Sequence, residues 1–142
     1  MNPDHVENNN LINYLNKNFD VSITQEKINL DKKYENYLNQ PQIDLFDLYL
    51  FSTGYLSNMS KEKLIYDTCE NLKIINTNFN SLIPWLIRID KILENTQSRL
   101  WVVTSVAGDK GKPSNYQYGA AKAGLTIFCE GLLLNYSKFP KK

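Results

Sequence analysis

Two short apolar runs, separated by a long segment with helical periodicity, limit most strongly what this chain can fold into. Leu45 to Phe51 (LFDLYLF) and Leu100 to Val103 (LWVV) have the length of strands and are apolar on both faces. Such strands are typical of parallel sheets that are covered by helices. The segment between them has apolar residues at helical spacing over 61–94, which suits the crossover connection that parallel neighbours require. The sequence therefore predicts an α/β fold.

Apolar spacing and helix breakers place the remaining elements. Pro84 is expected to kink the longest helical segment, because a proline inside a helix removes a backbone donor and crowds the preceding turn. Alternating helices and strands of this kind predict a parallel sheet with helices on its faces. The further predicted elements are helices near 6–18, 34–38, 60–70, 72–94 and 116–136, and a short strand from Val21 to Leu30.

Composition limits the function classes. At roughly 100–200 residues per domain, the 142 residues indicate a single domain. The net charge of +1 argues against a nucleic-acid partner, whose phosphates require a basic surface. Cys69 and Cys129 lie far apart and lack metal-ligand spacing, so we expect no disulfide scaffold, no metal site and a cytoplasmic location. No apolar run approaches the roughly 20 residues that a membrane span needs.

A tyrosine and a lysine on the last predicted helix form a pair with a chemical use. Tyr118 and Lys122 are four residues apart and therefore share one helix face. An ammonium near a phenol favours the phenolate, so such a tyrosine can exchange a proton with an alcohol or an alkoxide. Ser105 follows the second apolar run, where its hydroxyl could hydrogen-bond the same oxygen. Taken alone, a Tyr/Lys pair at this spacing is common on solvated helix faces.

The combination of these residues resembles a known family. The run TSVAGDKGKPSNYQYGAAKAGL, from Thr104 to Leu125, is similar to the catalytic segment of the short-chain dehydrogenase/reductase family. That family pairs a serine at a strand end with a Tyr-x-x-x-Lys helix thirteen residues on, the interval from Ser105 to Tyr118. It also has an asparagine in an Asn-x-x-Gly-like turn. Asn78 matches it, twenty-seven residues before Ser105 and with serine in the glycine position.

The resemblance implies a role for each matched residue. Tyr118 would be the general acid/base, and Lys122 would favour the phenolate and hold the nicotinamide ribose of NAD or NADP. Ser105 would orient and polarise the substrate carbonyl, and Asn78 would hold a water in a proton relay behind the lysine. Hydride would pass between the nicotinamide and a small-molecule ketone or secondary alcohol.

Weaker matches extend the resemblance toward the cofactor and toward one branch of the family. Asp31 looks like a strand-end aspartate that contacts the adenine, and Gly54 keeps only the glycine of the family's Asn-Asn-Ala-Gly. The loop before Tyr118, and Thr-Gly-Tyr-Leu at 53–56, are similar to the reductase partner of the decaprenylphosphoryl-ribose 2-epimerase, which reduces a keto-sugar on a polyprenyl phosphate. Family members commonly associate through the two helices that are expected near 72–94 and 116–136, which implies a homo-oligomer.

Parts of the family's fold have no counterpart in this sequence. A Gly-x-x-x-Gly-x-Gly turn, which brings the backbone to the cofactor's pyrophosphate, is missing, and the first glycine is Gly54. We therefore expect an incomplete, Rossmann-like doubly wound parallel sheet in a single partial domain over 1–142. It lacks the first two strands, the second of which would select NAD or NADP, and it lacks the last strands. The chain alone is expected to be inactive. Two alternatives stay open: a nucleotide-sugar epimerase or dehydratase of the extended branch, and a non-catalytic truncated or interaction protein.

Overall fold

The structure is a computed structural model that describes residues 6–21, 23 and 45–138. It is a mixed α/β arrangement, as the alternation of apolar runs predicted. The strand predicted from Val21 to Leu30 and the helix predicted near 34–38 lie outside the described residues, apart from Val21 and Ile23, which have no regular structure. The elements in chain order are α1 (Val6–Asn18), β1 (Leu48–Phe51), α2 (Lys61–Leu64), α3 (Thr68–Ile75), a π-helical turn (Asn76–Asn80), α4 (Ile83–Leu93), β2 (Arg99–Val102), a 3₁₀ turn (Val106–Gly108) and α5 (Tyr116–Lys138).

The two apolar runs pair with each other as parallel strands. Tyr49 lies opposite Leu100, and Leu50 lies opposite Trp101, in the sheet that β1 and β2 form. Within the described ranges this sheet has two strands. The helices α2, α3 and α4 connect them, which confirms the crossover that the parallel arrangement requires.

Helices α4 and α5 cover one face of the sheet. Every second strand residue points toward these helices, because side chains alternate between the two faces of a strand. Burying one large aliphatic side chain contributes roughly 1.5–3 kcal/mol, so this contact stabilises both helices against the sheet. The core residues are Tyr49, Leu82, Leu86, Ile89, Leu93 and Leu125, with Phe51, Leu100 and Val102 packed against them.

The opposite face of the sheet is apolar and exposed. Leu50 and Trp101, which lie opposite each other in the register, are 58% and 59% exposed, and Leu48 is 41% exposed. Both faces of the strands are thus apolar, as the runs predicted, whereas helices cover only one of them in the described part of the chain.

The helical segment between the strands has more breaks than the sequence predicted. One helix over 72–94 with a kink at Pro84 was expected, and that prediction is wrong. The helix ends before the proline in a π-helical turn, where the Ser81 N–H donates to the Asn76 carbonyl at 2.9 Å. Pro84 then lies in the first turn of a new helix, α4. A proline is tolerated there because the first turn has no intrahelical partners for its N–H groups.

The described residues contain neither a membrane-spanning helix nor a metal cluster. No helix within 6–21 and 45–138 combines the length and the apolar character that crossing a bilayer requires. The same residues include no group of three or more His, Cys, Asp or Glu side chains that could hold a metal ion. Cys69 and Cys129 have free thiols, and burial raises the pKa of the Cys129 thiol, which therefore stays neutral at neutral pH.

Candidate functional site

The carboxyl ends of β1 and β2 lie side by side, because the strands are parallel and in register. The pairing continues one step further, since the Val103 N–H donates to the Phe51 carbonyl at 2.8 Å. Beyond this point one strand leads into Thr53 and Gly54, and the other leads into Ser105. Ligands of open α/β sheets bind at this edge. It is therefore the place where functional side chains are expected to converge.

Lys122 of α5 is inserted between the two strand ends. Its side chain is 2% exposed, and its Nζ donates to the carbonyl oxygens of Thr53 at 3.0 Å and Val103 at 3.2 Å. One ammonium thus joins the residues that follow β1 and β2. Burial lowers the pKa of Lys122 below the usual lysine value, because the ammonium is removed from water. An ammonium has three donor hydrogens, so one remains for a ligand.

Two glycines bring the 3₁₀ turn against α5. A Cβ at Gly119 would lie 2.6 Å from the Ala107 carbonyl oxygen, and a Cβ at Gly108 would lie 2.8 Å from a backbone nitrogen of α5. Real side chains do not approach so closely, so only glycine allows this contact. The turn begins at Ser105, whose Oγ accepts the Ala107 N–H at 3.2 Å. The packing therefore fixes the segment that starts at Ser105 on the part of α5 that carries the Tyr/Lys pair.

Tyr118 lies one helical turn before Lys122, as the spacing predicted. The Lys122 Nζ is 6.0 Å from the centroid of the Tyr118 ring, at the outer range of a cation–π contact. The Tyr118 side chain is half-buried, and its hydroxyl makes no hydrogen bond with the other residues that the structure describes. A phenol beside an ammonium, with its hydroxyl unpartnered, can exchange a proton with a ligand.

Asn78, in the π-helical turn, holds the loop that follows β1. Its side chain is fully buried. The Nδ2 group donates to the carbonyls of Tyr55 at 2.7 Å and Ile74 at 2.8 Å, and the Oδ1 atom accepts the Tyr55 N–H at 3.0 Å. The side-chain amide is thus engaged with main-chain groups. This is a loop-holding role that the resemblance did not imply.

Gly54 lies between this asparagine and the buried lysine. A Cβ at Gly54 would be 3.4 Å from the Asn78 Oδ1 and 3.8 Å from the Lys122 Nζ. The neighbouring Thr53 Oγ1 is buried and has no hydrogen-bond partner within the described residues. The absence of a side chain at Gly54 leaves space beside the ammonium, next to a polar atom that is available to a ligand.

The structure brings together most of the site residues that the sequence predicted. Gly54, Asn78, Tyr118 and Lys122 form one cluster, and Ser105 begins the turn that packs on the same helix. Asp31, the predicted adenine contact, lies outside the described residues.

Three contributors to the site were missed. Thr53 and Val103 accept from the lysine, and Tyr55 is bound by the asparagine, in each case through the backbone. Backbone groups have no residue-type signature. Their position directly after the two apolar runs was the one sequence signal that could have indicated them.

Comparison with known proteins adds no assignment. A scan against models of protein families matched none of them, and searches of curated proteins and of solved structures found no match. The function must therefore be argued from the residues and the geometry of this chain.

Proposed function

We propose that this chain is the catalytic part of an NAD(P)-dependent oxidoreductase of the short-chain dehydrogenase/reductase family, built on a Rossmann-like doubly wound sheet. The observation that carries the proposal is the position of Lys122. Its ammonium is held where two parallel strands end, one helical turn from Tyr118, whose hydroxyl has no partner among the described residues. Ser105 begins the turn that packs on the same helix.

The proposed reaction moves a hydride and a proton between cofactor, protein and substrate. When bound, the nicotinamide supplies or accepts the hydride at its carbon C4. In the direction of reduction, the substrate carbonyl carbon gains the hydride, and the oxygen gains a proton from the Tyr118 hydroxyl. The charge of Lys122 stabilises the phenolate that remains, and the Ser105 hydroxyl donates to the oxygen as charge develops on it. The reverse steps oxidise a secondary alcohol. A keto-sugar on a polyprenyl phosphate is the substrate that the branch-level resemblance favours.

The residues at the strand ends fit a nicotinamide cofactor. Two carbonyls use two hydrogens of the Lys122 ammonium, and a ribose hydroxyl can accept the third. The missing Cβ at Gly54 leaves room beside that ammonium, and Thr53 Oγ1 is a buried polar atom that no other described residue engages in a hydrogen bond. Lys122, Gly54 and Tyr118 would hold the nicotinamide ribose of NAD or NADP, and Asp31 would contact the adenine.

The same proposal includes a homo-oligomeric state and a cytoplasmic location. Helix α5 exposes Ile127 and Leu133, which are 67% and 70% accessible, and Leu72 on α3 is 55% accessible. These apolar positions support a homo-oligomer that associates through the helices within 72–94 and 116–136. Two free cysteines that form no disulfide suit the reducing cytoplasm.

A tyrosine substitution tests the reaction. In the protein encoded by the full reading frame that includes this chain, we expect Tyr118→Phe to reduce ketone turnover at least about 100-fold, the lower range for general acid–base catalysis. Cofactor binding should be largely unchanged. Transfer of deuterium from C4-deuterated NAD(P)H to the product, followed by mass spectrometry, measures the reaction. Tyr116→Phe is the matched control on the same helix, with an exposed side chain, and should retain turnover. Full activity of Tyr118→Phe would refute the acid/base role.

Cofactor binding by the chain alone tests its expected inactivity. Because the sequence has no glycine-rich phosphate-binding turn, we expect no measurable fluorescence change when NADH or NADPH is titrated into the 142-residue chain. A micromolar dissociation constant would contradict this expectation. In the protein encoded by the full reading frame, product formed without net consumption of NAD(P)H would favour the epimerase alternative. Absence of cofactor binding there as well would favour an interaction protein.

A further inference from the structure

The loop after β1, whose Thr53 carbonyl accepts from Lys122, is held from outside the site by the side chain of Tyr55. Tyr55 follows Gly54, and its hydroxyl donates to the Glu70 carboxylate on α3 at 2.5 Å. The Lys73 Nζ lies 4.1 Å from the centroid of the Tyr55 ring. Asn78 holds the backbone N–H and carbonyl of the same tyrosine. Tyr55 is therefore held at its main chain, its ring and its hydroxyl.

Glu70 is itself fixed and suited to accept this hydrogen bond. The Asp67 carboxylate caps α3 by accepting the Glu70 N–H at 2.8 Å, which places Glu70 in the first turn of the helix. A carboxylate in the first turn is favoured by the helix dipole. The hydrogen bond from Tyr55 lowers the pKa of Glu70, so the carboxylate remains charged at neutral pH. The Tyr55 hydroxyl is thus held by a charged carboxylate whose own position is fixed by the helix cap.

Only three loop residues, from Tyr55 to Thr53, connect the Glu70 contact with Lys122. Tyr55 is two residues from Thr53, whose carbonyl accepts the Lys122 ammonium at 3.0 Å. A shift of the loop would move that carbonyl, because the intervening Gly54 has no side chain to pack against its surroundings. The orientation of the Thr53 carbonyl therefore depends on the contacts that hold Tyr55.

We propose that Tyr55 and Glu70 are positioning residues that fix the loop after β1, so that the Thr53 carbonyl holds the Lys122 ammonium in place. Neither side chain contacts the lysine; they act through the loop. The consequence for catalysis rests on the proposed function, whereas the effect on Lys122 can be measured without any activity.

Chemical labelling of Lys122 tests this inference. Reductive methylation with formaldehyde and cyanoborohydride, followed by peptide mass spectrometry, reports how often the buried amine becomes accessible. Tyr55→Phe keeps the ring below Lys73 and removes only the hydroxyl. We expect labelling of Lys122 to become about fivefold faster, the factor that corresponds to one net hydrogen bond of roughly 1 kcal/mol. Tyr66→Phe, a control at a side chain that is 87% exposed, should leave the rate unchanged.

Variants of Glu70 show whether the two residues act as a pair. Glu70→Ala should give the same increase as Tyr55→Phe, and the double variant should add little to either, since both remove one interaction. Glu70→Gln keeps an acceptor for the hydroxyl and should largely restore protection. Unchanged labelling in Tyr55→Phe, or additive effects in the double variant, would overturn the proposal. Circular dichroism of each variant verifies that the helices are intact.

The two proposals fail in different ways. If the complete enzyme reduces ketones but Tyr55→Phe changes neither the labelling nor kcat, the proposed function holds and the positioning role is refuted. If labelling responds as expected while the wild-type enzyme transfers no hydride, the positioning role holds and the proposed function is refuted. Where both hold, Tyr55→Phe should lower kcat several-fold and leave the KM for the ketone nearly unchanged.

Discussion

Lys122 shows how a buried charge can be accommodated by the backbone alone. An ammonium that loses its water must regain hydrogen bonds, since an uncompensated buried charge is strongly unfavourable. Here the carbonyls of Thr53 and Val103 supply them, and they are available because each lies just beyond the end of a strand. The strand pairing ends with the Val103 N–H, so the carbonyls of Thr53 and Val103 can accept from a side chain. The shape of the sheet edge thus determines where the lysine can lie.

The pH dependence of stability should report this burial. The folded state holds the pKa of Lys122 below its usual value, whereas the unfolded chain has the ordinary lysine pKa of about 10.4. Between these values the unfolded state binds more protons, so the contribution of Lys122 to the free energy of unfolding rises with pH. We expect the stability of the wild type relative to Lys122→Met to increase as the pH is raised through this alkaline interval. Urea titrations at several pH values measure it, and a flat difference would contradict the expectation.

The close contacts between the 3₁₀ turn and α5 at Gly108 and Gly119 lead to a second prediction about single residues. Gly119→Ala should destabilise the fold by about 1–3 kcal/mol, because its Cβ would overlap the Ala107 carbonyl and force the 3₁₀ turn away. Gly131→Ala is the control on the same helix, where no atom of another described element lies within 4 Å of the added Cβ. It should stabilise the fold by about 0.5–1 kcal/mol, the usual gain for alanine in a helix. Chemical unfolding of both variants checks the sign of each change.

At the scale of elements, the sequence predicted what depends on local periodicity and missed what depends on tertiary contacts. The apolar runs predicted β1 and β2 to within a few residues, and the four-residue spacing predicted the shared face of Tyr118 and Lys122. The π-helical turn could not be predicted. It forms where Asn78 binds the backbone of Tyr55, a residue 23 positions away, while the apolar spacing along the helix stays regular. The family assignment and the activity stay predictions.

The π-helical turn should depend on that asparagine. Asn78→Ala leaves the N–H and the carbonyl of Tyr55 without their partners, at a cost of about 1–3 kcal/mol for each buried group. Asn80→Ala is the control in the same turn. It removes one bond, from Asn80 to the Asn76 side chain, and should cost about 0.5–1 kcal/mol. Equal unfolding free energies for the two variants would show that Asn78 does not hold the loop.

At the scale of the molecule, the described sheet has one covered and one open face. Leu86 belongs to the core between α4, α5 and the strands and is fully buried, whereas Leu50 lies on the open face. A leucine is thus buried on one side of this two-stranded sheet, and another leucine is exposed on the other side. The difference in burial separates residues that stabilise this fold from residues that are available to other contacts.

A pair of leucine substitutions measures that difference. Leu86→Ala should lower the free energy of unfolding by about 2–5 kcal/mol, the range for a cavity in a packed core. Leu50→Ala should lower it by less than about 1 kcal/mol, because most of its side chain is already in contact with water. Urea unfolding followed by tryptophan fluorescence gives both values. A large loss for Leu50→Ala would mean that another part of the protein covers this face.

The lysine that joins the two strand ends has a consequence for how related chains should be interpreted. Under the proposed function, selection for folding and selection for chemistry would act on the same ammonium, so a descendant that lost the reaction would still keep Lys122. Folding does not constrain Tyr118 in this way, because its hydroxyl makes no hydrogen bond with the other described residues. Under the same proposal, a relative that keeps the lysine and replaces this tyrosine would be catalytically inactive and would keep an intact sheet edge. The tyrosine, and not the lysine, would then distinguish active relatives from inactive ones.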